Sequence, residues 1–192
     1  MDLIGTARHV VRRAGHEASY ASTLLQARGL GVAFTPPHKL LGTLRDLEAY
    51  GPAGGAISLA AAGFGDRPAL IDELGTVTFA ELEKRSSALA NALRARGFKA
   101  RDGMGILARN HRGLYESIIA GAKLGARTLL LNTDFAGPQL ADVVKREDVQ
   151  VLIHDEEFAD VAGAADVSGG KFVAWHDGDT RDDTLEGLIW SG

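Results

Sequence analysis

The stretch MGILARNHRGLYESIIAGAKLGARTLLLN, residues 104–132, decides the fold. Met104 to Ala108 is an unbroken apolar run with the length of a buried strand. Asn110 offers a side-chain oxygen to cap a helix, and Leu114, Ile118 and Ala122 recur along that helix at a four-residue spacing. Gly125 supplies the left-handed residue that ends it. Thr128 to Leu131 is a second apolar run. Strand, helix and strand joined by short links is the pattern of parallel pairing through a crossover helix. Both strands are apolar throughout rather than alternating, which predicts burial on both faces.

The same alternation continues in both directions. Downstream, Pro138 stands at a helix start, where its missing N–H costs nothing, and Leu140, Val143 and Val144 give that helix a buried face. Val149 to Ile153 reads as a third strand and Lys171 to Trp175 as a fourth. Upstream, Ala69-Leu70-Ile71 and Val77-Thr78-Phe79 form a predicted hairpin around Glu73-Leu74-Gly75. Thr78 and Glu81 then make a Thr-x-x-Glu capping box. Phe79, Leu82, Ser86, Leu89 and Leu93, alternately three and four residues apart, share one face of the helix it opens, and Gly97 closes it. The fold class that follows is α/β, a mainly parallel sheet flanked by helices on both faces. It occupies residues 66–192, with a helical arm and connector over residues 1–65.

Within the arm, Leu3, Ala7, Val10, Ala14, Ala18, Ala21 and Leu25 mark one face of a helix over residues 1–31. Arg8, Arg12 and His16 mark the opposite face. Pro36-Pro37 forces extended backbone. Short helices are expected over Leu40–Ala49 and Ala56–Ala62, parted by Gly51-Pro52. The first helix has two readings. Its faces suit peripheral contact with an anionic membrane surface. An alanine- and valine-rich face without tryptophan or phenylalanine suits docking on protein better.

Composition excludes several classes. The 192 residues include no cysteine, so disulfides and thiolate metal sites are out, in keeping with a reducing, cytoplasmic setting. A net charge of −4 argues against a dedicated nucleic-acid binder. No apolar run is long enough to span a bilayer. His9, Arg12, Arg13 and His16 interrupt anything resembling a secretory signal. Chemical motifs are equally sparse. Gly103 and Gly105 begin a strand, and no third glycine opens a helix as a dinucleotide fingerprint requires. Counted from Asp177 as a calcium loop, position six is Asp182 and position twelve Leu188, which fails the pattern. No phosphate-loop motif and no Gly-x-Ser-x-Gly elbow is present. The residues alone describe an α/β scaffold with no visible chemical site.

Several segments carry a resemblance. Asp66-Arg67-Pro68-Ala69-Leu70, Val77-Thr78-Phe79-Ala80-Glu81-Leu82 and the run Ser86 to Leu93 are similar to the opening of the adenylate-forming superfamily. Ala122-Lys123-Leu124-Gly125-Ala126, followed by Leu131-Asn132, resembles that family's second core motif. Acyl-CoA ligases, luciferases and peptide-synthetase adenylation domains belong to it. Relatives often carry Tyr and Pro where this chain has Thr128 and Leu130, and an Asn-Pro pair where it has Asn132-Thr133. Leu129 to Thr133 looks closest to the fatty-acyl-CoA ligase branch.

The resemblance implies the amino-terminal part of an enzyme that makes fatty-acyl-CoA from a fatty acid, ATP and CoA, with Mg²⁺, through an acyl-adenylate. The family's phosphate loop, its adenine- and magnesium-binding motifs and its lid with the catalytic lysine would follow Gly192. No catalytic residue can therefore be assigned, no cofactor is expected on the chain alone, and the chain alone is expected to be inactive. Adenylation concentrates negative charge that oriented donors and a metal must meet. Asn132, Thr133, Asp134 and Phe135 follow a strand's carboxyl end, where open α/β sheets bind ligands, and are the candidates for lining a substrate channel. Other acyl-, aryl- or amino-acid-adenylating enzymes remain open as readings. So does a non-catalytic scaffold or dimerisation module, if the gene ends at Gly192. Self-association is expected through an apolar face left uncovered.

Overall fold

A computed structural model describes residues 37–178, 181 and 183–191. The helix expected over residues 1–31 lies outside them. The first element, α1 (Pro37–Phe64), contains a break at Gly51, whose φ of 69° and ψ of −177° no helix tolerates. Two helical segments thus meet at the Gly51-Pro52 step, and the second runs past Gly63 to Phe64. Pro37 belongs to the helix instead of extended backbone, because a proline is tolerated in a first turn.

Next comes the hairpin of β1 (Pro68–Asp72) and β2 (Gly75–Thr78), paired antiparallel. Phe79 opens α2 (Phe79–Ala95) and is not a strand residue, since the capping box begins the helix there. The Glu81 N–H donates to Thr78 Oγ1 at 3.2 Å, and the Thr78 N–H donates to Glu81 Oε2 at 2.8 Å. Leu82, Ser86, Leu89 and Leu93 are all buried, as their spacing predicts.

Four parallel strands follow, β3 (Gly103–Leu107), β4 (Arg127–Leu130), β5 (Val149–His154) and β6 (Lys171–Val173), in the order β4-β3-β5-β6. Their connectors include α3 (Arg112–Leu124), α4 (Gly137–Arg146) and the short α5 (Ala159–Gly163). A last helix, α6 (Leu185–Ser191), follows β6. The periodicity reading missed α5 and α6, whose five and seven residues are too few to establish a period.

Both faces of the sheet are covered. On one, Met104, Ile106, Val151 and Ile153 pack with Leu89 and Leu93 of α2, Ala120 and Leu124 of α3 and Leu188 of α6. On the other, Leu107 and Leu152 pack with Leu140 and Val144 of α4, Phe158 and Ala162. Every residue of β3 is buried. Gly103 is required by close approach: a Cβ there would lie 2.5 Å from the Asp148 carbonyl oxygen. Beside it the β3–β5 register skips Gln150, whose side-chain oxygen accepts the Gly103 N–H at 2.5 Å. The skipped residue thus restores the hydrogen bond that the bulge removes.

Polar groups are buried where helices meet. The Lys123 ammonium, on α3, donates to Ser86 Oγ at 3.0 Å, Ser87 Oγ at 2.8 Å and the Glu83 carbonyl at 3.2 Å, and it pairs with Glu83 Oε2 at 2.9 Å. Ser58 of α1 donates to the other Glu83 oxygen at 3.1 Å. Nearby, Arg85 bonds both Glu116, which is 1% exposed, and Glu186 of α6. Hydrogen bonds from Arg85 hold the Glu186 carboxyl below the usual carboxylate range. Removing one partner of such a network leaves the other desolvated and unpaired, which costs far more than the intact pair gains. Lys123→Ala is therefore expected to destabilise the fold by about 3 kcal/mol in urea unfolding. A loss below about 1 kcal/mol would mean that water reaches the cluster.

Candidate functional site

Because β3, β4, β5 and β6 are parallel, their carboxyl ends meet at one edge. Asp155, immediately after β5, organises it. Its Oδ2 accepts the Arg109 N–H at 2.7 Å, its Oδ1 is 2.9 Å from His111 Nε2, and its own N–H donates to the Leu107 carbonyl at 3.1 Å. Both His111 and Asp155 are buried. The Gly113 N–H donates to His111 Nδ1 at 3.1 Å, so Nδ1 must offer a lone pair and Nε2 carries the proton given to Asp155.

His111 is thus the amino-terminal cap of α3, in place of Asn110. An imidazole nitrogen reaches the first free N–H of the helix from a residue held by Asp155, and Asn110 lies outside the helix end. The His111 ring rests 4.8 Å from the Trp175 ring, beyond β6, and the Trp175 carbonyl accepts the Glu156 N–H at 2.9 Å. Arg109 reaches outward to Glu157 through two hydrogen bonds of 2.5 and 2.8 Å. Those bonds hold the Glu157 carboxyl below its ordinary range.

The four residues singled out from the sequence occupy the turn after β4, at this same edge. Asn132 Oδ1 accepts the Asp134 N–H at 3.0 Å, and its carbonyl accepts the Phe135 N–H at 3.1 Å. Its amide therefore shapes the turn. Phe135 packs against the core on the α4 side of the sheet. Thr133 is half-buried and Asp134 exposed, within electrostatic reach of Arg109. His111, Asp155 and Trp175 were not found from sequence. Only an aspartate directly after an apolar strand could have signalled Asp155. Among the described residues, no group of three or more His, Cys, Asp or Glu side chains could hold a metal ion. No described helix is long and apolar enough to cross a membrane.

A second cluster joins the hairpin to α3. Arg112 donates to both Asp72 oxygens, at 2.6 Å from Nη2 and 2.9 Å from Nε, and also to the Gly75 carbonyl. Hydrogen bonding from Arg112 lowers the Asp72 pKa from 3.8 to about 2.

An open parallel sheet covered by helices on both faces, with the buried His111–Asp155 pair at its carboxyl ends, makes this an α/β unit of the doubly wound kind. The AMP-binding enzyme family matches residues 57–186, and the chain belongs to that family. It is 33% identical over 95 residues to 3-oxocholest-4-en-26-oate–CoA ligase of Rhodococcus rhodochrous, an alignment covering 50% of this chain and 17% of that protein. It is 35% identical over 88 residues to feruloyl-CoA synthase of Amycolatopsis sp, covering 46% and 18%. The chain thus spans less than a fifth of either relative. The structure of a Mycobacterium tuberculosis fatty acyl CoA synthetase superposes with a TM-score of 0.65 at 21% identity, covering 77% of this chain and 29% of that one. The fold is shared with it.

Three outcomes follow. Asp155→Asn places an amide N–H against one of two donors, so it should cost about 2 kcal/mol. His111→Ala and Asp155→Asn together should cost less than the sum of each alone, by at least roughly 0.5 kcal/mol in a double-mutant cycle. Additivity would mean that the two do not act as a pair. For Asp72, the folded-state pKa lies below the unfolded value of 3.8. Its contribution is present above that value and is lost as pH falls toward 2. Asp72→Asn should flatten the stability profile in that window, read by urea midpoints against pH.

Proposed function

We propose that this chain forms one wall of the acyl and nucleotide cleft of a ligase that joins a fatty acid to CoA through an acyl-adenylate. The observation that carries the reading is the edge organised by Asp155, on the fold of a carboxylate-activating family. On this reading Asn132, Thr133, Asp134 and Phe135 line the substrate channel. Thr133 is half-buried and Asp134 exposed, while Asn132 and Phe135 hold the turn that presents them.

The reaction requires an attack by a carboxylate oxygen on the α-phosphorus of ATP, with departure of pyrophosphate, and then thiol displacement of AMP. Negative charge grows on the phosphate and must be met by fixed donors. The described edge presents Arg109 as a cation, already paired with Glu157. The phosphate-binding donors, Mg²⁺ ligands and catalytic lysine belong to polypeptide that completes the cleft. The fatty-acid assignment rests on the likeness of Leu129 to Thr133 to that branch. An aryl acid is the second reading, favoured by the feruloyl-CoA synthase match.

Acid-dependent ATP–pyrophosphate exchange tests both parts. The protein with its cleft complete should exchange with fatty acids and much less with cinnamic or benzoic acids, and the reverse preference would sink the fatty-acid assignment. The 192-residue chain alone should give none. Acid-dependent exchange by it would overturn the single-wall reading.

A further inference from the structure

We propose that the first turn of α3 is a joint that couples the β1–β2 hairpin to the strand ends, so that loosening either one loosens the other. A helix begins with N–H groups that have no partner inside it. In α3, two carboxylates from distant parts of the chain supply the acceptors. Asp72, at the end of β1, accepts the Arg112 N–H on Oδ2 at 3.0 Å. Asp155, after β5, holds the His111 ring whose Nδ1 accepts the Gly113 N–H at 3.1 Å. The first grip spans 40 residues of sequence and the second 44.

Each grip reaches beyond the turn. Asp72 and Gly75 are paired across the hairpin, and Arg112 bonds both, through the Asp72 carboxylate and the Gly75 carbonyl. Asp72 Oδ1 also accepts the Leu74 N–H at 3.1 Å. The closing turn of the hairpin and the start of α3 thus share one carboxylate. On the other side, Asp155 accepts the Arg109 N–H and donates its own N–H to the Leu107 carbonyl of β3. The His111 ring is thereby tied to the ends of both central strands.

Little else holds the turn. Residues 111–113 are His, Arg and Gly, with no aliphatic side chain among them, and Leu114 is only partly buried. The Trp175 ring rests against His111 and so belongs to the second grip. The side chains of Asp72 and Asp155 are each 4% exposed, so water is poorly placed to replace either carboxylate. Asp72 is bonded to neither His111 nor Asp155. Any influence between them runs through the turn. Without the Asp72 carboxylate the Arg112 N–H loses its acceptor, the turn frays, and fraying draws the adjacent Gly113 N–H off His111. Without Asp155 the ring is unfixed, Gly113 is released, and fraying draws Arg112 off Asp72. Coupling of this kind is reciprocal.

Hydrogen exchange followed by NMR in the 192-residue chain tests this, read at the His111 Nε2–H and the Arg112 Nε–H. Asp72→Ala should speed exchange at His111 about fivefold or more beyond any change in the β3 and β5 amides. Asp155→Asn should do the same at Arg112. Asp102→Ala, which frees the Lys99 N–H at the opposite edge of the sheet, should shift neither relative to those amides. A His111 proton that moves only with the strand amides in Asp72→Ala overturns the proposal, and so does an equal effect from Asp102→Ala. Should Asp72→Ala fail to fold, Asp155→Asn decides alone, and an Arg112 Nε–H that keeps its protection overturns the coupling.

Discussion

The controlling constraint is that β3 and β5 are buried on both faces. A strand so placed favours apolar side chains on both faces, and each backbone group must find a partner inside the protein. Composition follows: Met104, Ile106 and Leu107 in one strand and Val149, Val151, Leu152 and Ile153 in the other. Helical cover on each side follows as well, supplied by α2, α3 and α6 on one and by α4 and α5 on the other. Even the irregularity at Gly103 obeys the rule. Where the register skips, the Gln150 side chain takes over as acceptor, and the strands approach too closely for any residue but glycine.

Beyond the strand ends, where His111, His154 and Asp155 are buried, polar burial favours one helical layer. Glu116, Lys123 and Ser86 lie at seams among α1, α2, α3 and α6, while none of the buried polar side chains belongs to α4 or α5. The difference is geometric. Several helices pack side by side over the first face, and their flanks meet away from the sheet, where directional bonds can fix one helix against another. The Arg85 guanidinium is held by carboxylates from two separate helices, Glu116 and Glu186. Against the second face, apolar contact from α4 suffices.

How much was legible in the sequence follows from which forces are local. The capping box at Thr78, the left-handed Gly125 and the apolar runs of β3 and β5 are signals within a few residues, and all appear in the structure. The cap of α3 was misread because Asn110 has the better intrinsic capping side chain, whereas the choice of His111 is made 44 residues away by Asp155. The same distance hid the site's organiser. The turn from Asn132 to Phe135 was located correctly, since a strand's end can be read locally. That Asn132 would be occupied in shaping the turn could not, because its amide could equally have faced solvent.

Asp155 also limits what this edge can do by itself. Both its oxygens are engaged, one with a backbone N–H and one with His111, and the residue is buried. It cannot turn to a ligand without releasing the cap of α3. His111 is committed in the same way, with one nitrogen to Gly113 and the other to Asp155. The two groups best suited to proton transfer are therefore used in holding the strand ends of β3 and β5 in register. What faces outward at this edge is the surface of the turn after β4, with Asp134 exposed, and the Arg109–Glu157 pair. Rigidity at this edge is thus gained by committing both groups to the fold.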